Sequence, residues 1–148
     1  MKNNSEDAIL DTLSNLDNLE QISSFVRTFF VRSPGLNDSD IDALELVVTE
    51  AVVNVIEHGY HGETGRPISI QLQLGPSEAG IYIYDWADPF DPTQVPPAIL
   101  DGNHFDGFGL FIIEQNTNEA SYTREPDGRN RGVFIRHIPF SQETILCN

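Results

Sequence analysis

The stretch Glu50-Ala51-Val52-Val53-Asn54-Val55-Ile56-Glu57-His58-Gly59-Tyr60 decides how the rest of the chain is read. At about 100° per residue on a helix, Leu44, Val47, Val48, Ala51 and Val55 fall together as an apolar stripe. Asp42, Glu45 and Thr49 fall on the far side. Glu50, Asn54 and Glu57 line up along one row at the rim of the stripe, with His58 beside it, because residues four, seven and eight positions apart stack on one helix face. A carboxylate one turn from a carboxamide has a chemical use: Glu50 can take a proton from a hydroxyl or water. Asn54 can offer its oxygen to Mg²⁺, a hard cation that takes one or two protein oxygens plus phosphates and waters. Judged on this helix alone, two boundary residues making solvent and capping contacts are the plainer account.

Working outward, Asn37-Asp38-Ser39-Asp40 supplies cap residues and early acidic side chains, so the helix is predicted to run from there to about His58, with Gly59 as its stop. Ser33-Pro34-Gly35 separates it from an earlier helix, Leu16 to Val31, whose apolar positions include Phe25, Phe29 and Phe30. Residues 8–14 are a short first strand. From Pro67 the period changes to two: Ile68, Ile70, Leu72 and Leu74 alternate with Ser69, Gln71 and Gln73, a half-buried antiparallel strand. Ile81–Tyr84 reads as a central strand, Gly107 to Asn116 as a helix, and Ala120–Arg124 and Gly132–Ile138 as closing strands. Pro89, Pro92, Pro96 and Pro97 make residues 87–106 irregular. This order predicts an α+β fold, a two-layer sandwich with a mixed, mostly antiparallel sheet and helices on one face, in a single domain over 1–148.

Composition narrows the ligands. The chain has 148 residues, 23 acidic and 8 basic, for a net charge of −15. Lys2 is its only lysine. Such a surface repels nucleic acid and anionic lipid, and a phosphate-binding loop built on lysine is excluded. A polyanionic ligand must then be held by backbone amides, a metal ion and a few arginines. The single cysteine, Cys147, rules out a disulfide framework. The N-terminal residues lack the order of a signal peptide, and no apolar run approaches the ~20 residues of a membrane span. A soluble, cytoplasmic protein is expected.

Two more segments bear on the helix row. Asp85 ends the most apolar strand, where its carboxylate can accept from an exocyclic amine, with Trp86 and Phe90 as apolar walls. Asp106-Gly107-Phe108-Gly109-Leu110-Phe111 leads into a helix, and glycines at a helix start let a phosphate approach free amides and the positive end of the dipole. Each alone also reads as a plain strand end or loop-to-helix junction.

Together and in this order, the segments resemble the GHKL (Bergerat-fold) ATPases, histidine kinase-like ATPase domains, and within them the anti-sigma-factor serine/threonine kinase branch. Glu50 to Tyr60 is similar to that branch's N-box, with the pattern E-x-x-x-N-x-x-x-H-x-Y. Asp85 with Pro89-Phe90-Asp91 resembles its first glycine box, Gly107-Phe108-Gly109-Leu110 its second, and Gly132-Val133-Phe134-Ile135 its final strand. The resemblance implies ATP and Mg²⁺ as cofactors, Glu50 as the base that activates a serine hydroxyl, and Asn54 as the metal ligand. It further implies that Asp85 binds the adenine amine, that Gly107 and Gly109 let the turn wrap the phosphates, and that His58, Ala87, Phe90 and Leu110 complete the nucleotide site. The implied partners are a STAS-type anti-anti-sigma protein and a sigma factor, with the kinase a homodimer.

Three positions depart from the family pattern. Ala87 stands where glycine is usual, Asp106 where a basic residue is common, and Val133 where a threonine hydroxyl is frequent. They leave open a Bergerat-fold regulatory module that binds nucleotide or protein without turnover. A zinc site on His58, His61 and Glu57 is a further, weaker alternative.

Overall fold

The computed structural model describes residues 5–88 and 108–139. The elements are β1 (Glu6–Leu13), a 3₁₀ turn (Leu16–Asn18), α1 (Leu19–Phe30), α2 (Asp38–Asn54), a π turn (Val55–Gly59), β2 (Pro67–Leu74), β3 (Glu78–Asp85), α3 (Phe108–Asn116), β4 (Glu119–Arg124) and β5 (Asn130–His137). The predicted elements are all present, with ends shifted by up to three residues except at the end of α2, which stops four residues short of His58. One sheet runs in the order β1-β2-β3-β5-β4. All four described pairings are antiparallel, so the parallel part of the expected mixed sheet is not found among the described strands.

The alternation read from the sequence is what builds the two layers. Ile68, Ile70, Leu72 and Leu74 of β2, with Ala79, Ile81 and Ile83 of β3 and Phe134 of β5, are buried in one core. Ile22, Val26, Phe29 and Phe30 of α1 and Leu44, Val47, Val48, Ala51 and Val52 of α2 close it from the other side. The alternate residues of the sheet face away from the helices. There Tyr82 and Tyr84 lie under the guanidiniums of Arg131 and Arg129, at 5.1 and 4.3 Å from the ring centres.

Helix α2 carries the row of interest, and its start is fixed tightly. The Asn37 side chain accepts from the Asp40 amide at 2.8 Å, while the Asn37 amide donates to Asp40 Oδ2 at 3.0 Å, a reciprocal capping box. Asp40 Oδ1 accepts from Arg136 Nη2 at 2.9 Å, and Arg136 Nη1 donates to the Asn116 carbonyl at 2.9 Å. The beginning of α2, the end of α3 and the end of β5 are thereby tied at one point.

The end of α2 differs from the prediction. Regular α geometry stops at Asn54, and Val55–Gly59 form a π turn in place of a continuous helix to His58. Gly59 is not the left-handed stop. The positive φ values fall later, at His61, Gly62 and Gly65.

Candidate functional site

The π turn re-aims the chain, and Tyr60 shows where. Its hydroxyl donates to the Pro67 carbonyl at 2.6 Å and accepts from the Trp86 amide at 2.9 Å. One buried phenol thus pins the end of the α2 segment against the start of β2 and the end of β3. Single π turns inside α-helices recur where a side chain must be displaced from the regular helical row. Here the chain changes pitch directly after Asn54, the last residue in α geometry, while Glu57 stays near enough for its charge to act on Glu50. Glu57 is exposed and His58 half-buried.

Asp85 closes β3 and is buried, 5% exposed. Its Oδ1 accepts from the Ala87 amide at 3.0 Å and from Asn130 Nδ2 at 2.8 Å. The same Asn130 nitrogen reaches the Ala87 carbonyl at 3.0 Å, and Arg124 Nη1 donates to Asn130 Oδ1 at 3.4 Å. Burial pushes the Asp85 carboxyl upward, and the two donors at Oδ1, with the Arg124 charge, oppose that shift. Beside Asp85 lies a cavity of about 100 Å³ lined by Ala51, Asn54, Val55, Ile83, Tyr122 and Phe134, among others. Its apolar walls therefore come from α2, β3, β4 and β5. Trp86, expected as a wall, is 43% exposed and does not line the cavity.

Glu50 and Asn54 stand against the head of α3. A methyl group placed on Gly109 would lie 2.9 Å from Glu50 Oε2 and 3.2 Å from Asn54 Oδ1. A side chain here would push the ends of Glu50 and Asn54 aside, so glycine lets the head of α3 approach both groups closely. Burial raises the pKa of Glu50, and the Glu57 charge adds to the rise. Asn54 Nδ2 is buried with no hydrogen-bond partner among the described residues. A buried orphan amide is uncommon in a settled core. Turning that amide over would present its oxygen instead, so a cation or a nucleotide phosphate assembly suits the place, together with the acceptor-only carboxylate of Glu50.

The sequence-predicted residues thus come together in part. Glu50, Asn54 and Gly109 form one cluster, and Asp85 joins Asn54 across the cavity. Leu110 is half-buried and packs on the core. Ala87 is buried, does not line the cavity, and directs its methyl at Gly59, where an added Cβ would lie 3.1 Å away. Its φ is not positive, so the methyl is accommodated without strain. Phe90, Gly107 and Asp106 lie outside the described residues, as does the whole of 92–106. Among the described residues no group of three or more His, Cys, Asp or Glu side chains is arranged to hold a metal ion, which removes the support for a zinc site on His58, His61 and Glu57. Asn130 and Arg124 were missed by sequence reasoning. Their signal, a polar pair flanking the turn Pro126-Asp127-Gly128, becomes meaningful only through strand register.

Residues 12–131 match the model of the histidine kinase-like ATPase domain. The chain belongs to that family. It is 28% identical over 123 residues to the serine-protein kinase RsbW of Staphylococcus aureus, covering 77% of this chain and 74% of that protein. It is 26% identical over 94 residues to the serine-protein kinase RsbW of Bacillus velezensis, covering 58% of this chain and 59% of that protein. The chain therefore spans about three fifths of the length of the latter relative. Among solved structures, the SiaB-SiaC complex from Pseudomonas aeruginosa includes a chain with the same fold, at a TM-score of 0.59 and 16% identity, with 88% of this chain and 89% of that one covered. The histidine kinase-like ATPase fold and the N-box resemblance agree. No described helix is long and apolar enough to cross a membrane.

Proposed function

We propose that this protein is an ATP-dependent serine/threonine protein kinase of a partner-switching pathway, phosphorylating a small STAS-type antagonist and alternately sequestering a sigma factor. The observation that carries the proposal is the meeting of Glu50, Asn54 and Gly109, with Asn54 also lining the cavity that Asp85 lines. A base, a carboxamide oxygen, a side-chain-free helix start and an amine acceptor are the parts that phosphoryl transfer asks of a protein, since its catalysis is mostly positioning and charge neutralisation.

In this reading the ATP adenine amine donates to Asp85, and the free amides at the head of α3 face the phosphates. Asn54 turns its oxygen toward Mg²⁺, which when bound neutralises charge on the transferring phosphoryl group. Glu50 takes the proton from the incoming serine hydroxyl onto its carboxylate as that oxygen attacks. Its raised pKa makes it a stronger base than an exposed glutamate and suits it to this task. A protein acceptor is favoured by the serine-protein kinase relatives. Homodimerisation belongs to the same proposal, supported by the edge position of β1 among the described strands, with Ile9 and Leu13 exposed. So does a cytoplasmic location.

Titration of the purified protein with ATP, with and without Mg²⁺, tests the nucleotide site, and phosphate incorporation into a cognate STAS protein tests the transfer. Metal-dependent ATP binding followed by serine phosphorylation is expected. Absence of metal-dependent binding at millimolar ATP would remove the kinase and leave a protein-binding regulatory module of the same fold.

A further inference from the structure

The two oxygens of Asp85 are not equivalent. Oδ1 accepts from both the Ala87 amide and Asn130 Nδ2. No hydrogen bond from a described residue reaches Oδ2, and Asp85 lines the cavity. Asn130 is itself buried, at 9% exposed, and is held from both sides by the Ala87 carbonyl and by Arg124. Its position follows from the β3–β5 register, which sets Asn130 directly opposite Asp85. The amide therefore cannot swing away without giving up three polar contacts.

This asymmetry bears on which base the site accepts. An ionised carboxylate only accepts hydrogen bonds. With both oxygens free it can receive two parallel donors, and the N1–H and N2 amine of guanine form such a pair. With one oxygen already occupied by two donors, it offers a single acceptor, which the lone N6 amine of adenine satisfies. A base with a carbonyl at that edge, such as hypoxanthine or the O6 side of guanine, would set one acceptor against another. Desolvation makes such a mismatch costly, so hydrogen-bonded sites discriminate strongly.

We propose that Asn130 is a specificity-determining positioning residue, which occupies Oδ1 of Asp85 so that the site selects adenine nucleotides and rejects guanine and hypoxanthine nucleotides. Asn130 stands three residues before Val133 in β5, and its amide supplies the donor to the carboxylate. At Gly132, which also lines the cavity, an added Cβ would meet the Phe134 ring at 3.0 Å. The inference rests on the ATP reading of the site.

The test is a set of binding titrations with ATP, GTP and ITP, each with Mg²⁺, on the full chain and on Asn130→Ala and Asn130→Ser. The wild type is expected to favour ATP over both others by about tenfold or more. Asn130→Ala should narrow the ATP-to-GTP ratio severalfold, because GTP gains an acceptor as ATP loses an oriented one. Asn130→Ser, which keeps a donor, should restore part of the ratio. A purely structural role would weaken all three nucleotides alike, and an unchanged ratio in Asn130→Ala with ATP still bound would overturn the proposal. Should Asn130→Ala fail to fold, the ratio in Asn130→Ser against wild type and Asn130→Asp decides, since Asp supplies no donor when ionised. A ratio in Asn130→Asp equal to that of wild type would overturn the role of Asn130. A wild type that binds none of the three would instead overturn the ATP reading itself.

Discussion

The two ends of α2 are built on opposite principles. At its start, Asn37 and Asp40 satisfy each other's amides, and Asp40 also meets Arg136. At its end, Asn54 Nδ2 is buried without a described partner and Glu50 is desolvated beside Glu57. The regular helix also gives way there to a π turn. Polar groups that hold a fold together are paired within it. Polar groups held for a ligand are kept in place by their neighbours while their own hydrogen-bonding capacity is left open. On the proposed function, the contrast sets structural against ligand-binding groups within one helix of 17 residues.

The sharpest way to break the comparison is at Glu50. Glu50→Gln keeps the shape and removes the base, so phosphoryl transfer to the protein acceptor should fall by about 10²–10⁴-fold, with ATP affinity within a few-fold of wild type. Equal loss of binding and transfer, measured by titration and by phosphate incorporation, would make Glu50 a structural residue like Asp40.

At the other end, Asp40→Ala removes half of the capping box and leaves Arg136 without its carboxylate. We expect a loss of about 2–3 kcal/mol in folding stability by denaturant unfolding, with the ATP-to-GTP preference unchanged. Altered nucleotide preference in this variant would show that the two ends of the helix are not independent.

Asn54→Leu should behave in the reverse sense. Metal-dependent ATP binding is lost, while folding stability is unchanged or rises by up to about 1 kcal/mol, because an unsatisfied amide is replaced by an apolar group of similar size. Clear destabilisation would mean that Asn54 is paired in the folded protein after all.

The smallest effect concerns pH. The folded pKa of Glu50 is raised, first by burial and then by Glu57. As a base it works ionised, so transfer should rise with pH through that raised value and then level off. Glu57→Gln removes one cause and should move the rise to lower pH. Stability has the opposite sign: the folded state holds the proton more tightly, so this group's contribution falls as pH increases from the ordinary glutamate pKa through the raised one. Glu50→Gln abolishes that fall, which unfolding curves at several pH values would detect.

Much of the molecule was legible in the sequence because its governing periods are local. The alternation in Ile68 to Leu74 and the stripe of Leu44, Val47, Val48 and Ala51 are set by strand and helix geometry, and both proved buried. The N-box row was legible for the same reason, up to Asn54. Beyond it the chain changes pitch at Val55, which a wheel of one helical pitch does not anticipate. Trp86 was misjudged as a wall because an aromatic side chain next to a site residue need not face the site.

The sequence by itself determined the α+β order, the core stripes and the row containing Glu50 and Asn54, since each depends on residues within two or three turns of one another. Only the tertiary structure decided that Asn130 meets Asp85 across 45 positions of chain, that Gly109 lies against Glu50 and Asn54, and that the Ala87 methyl faces Gly59 instead of the cavity. Those outcomes follow from strand register and from the approach of α3 to α2. Desolvation, pairing and close contact belong to neighbours in space, and no local period encodes them.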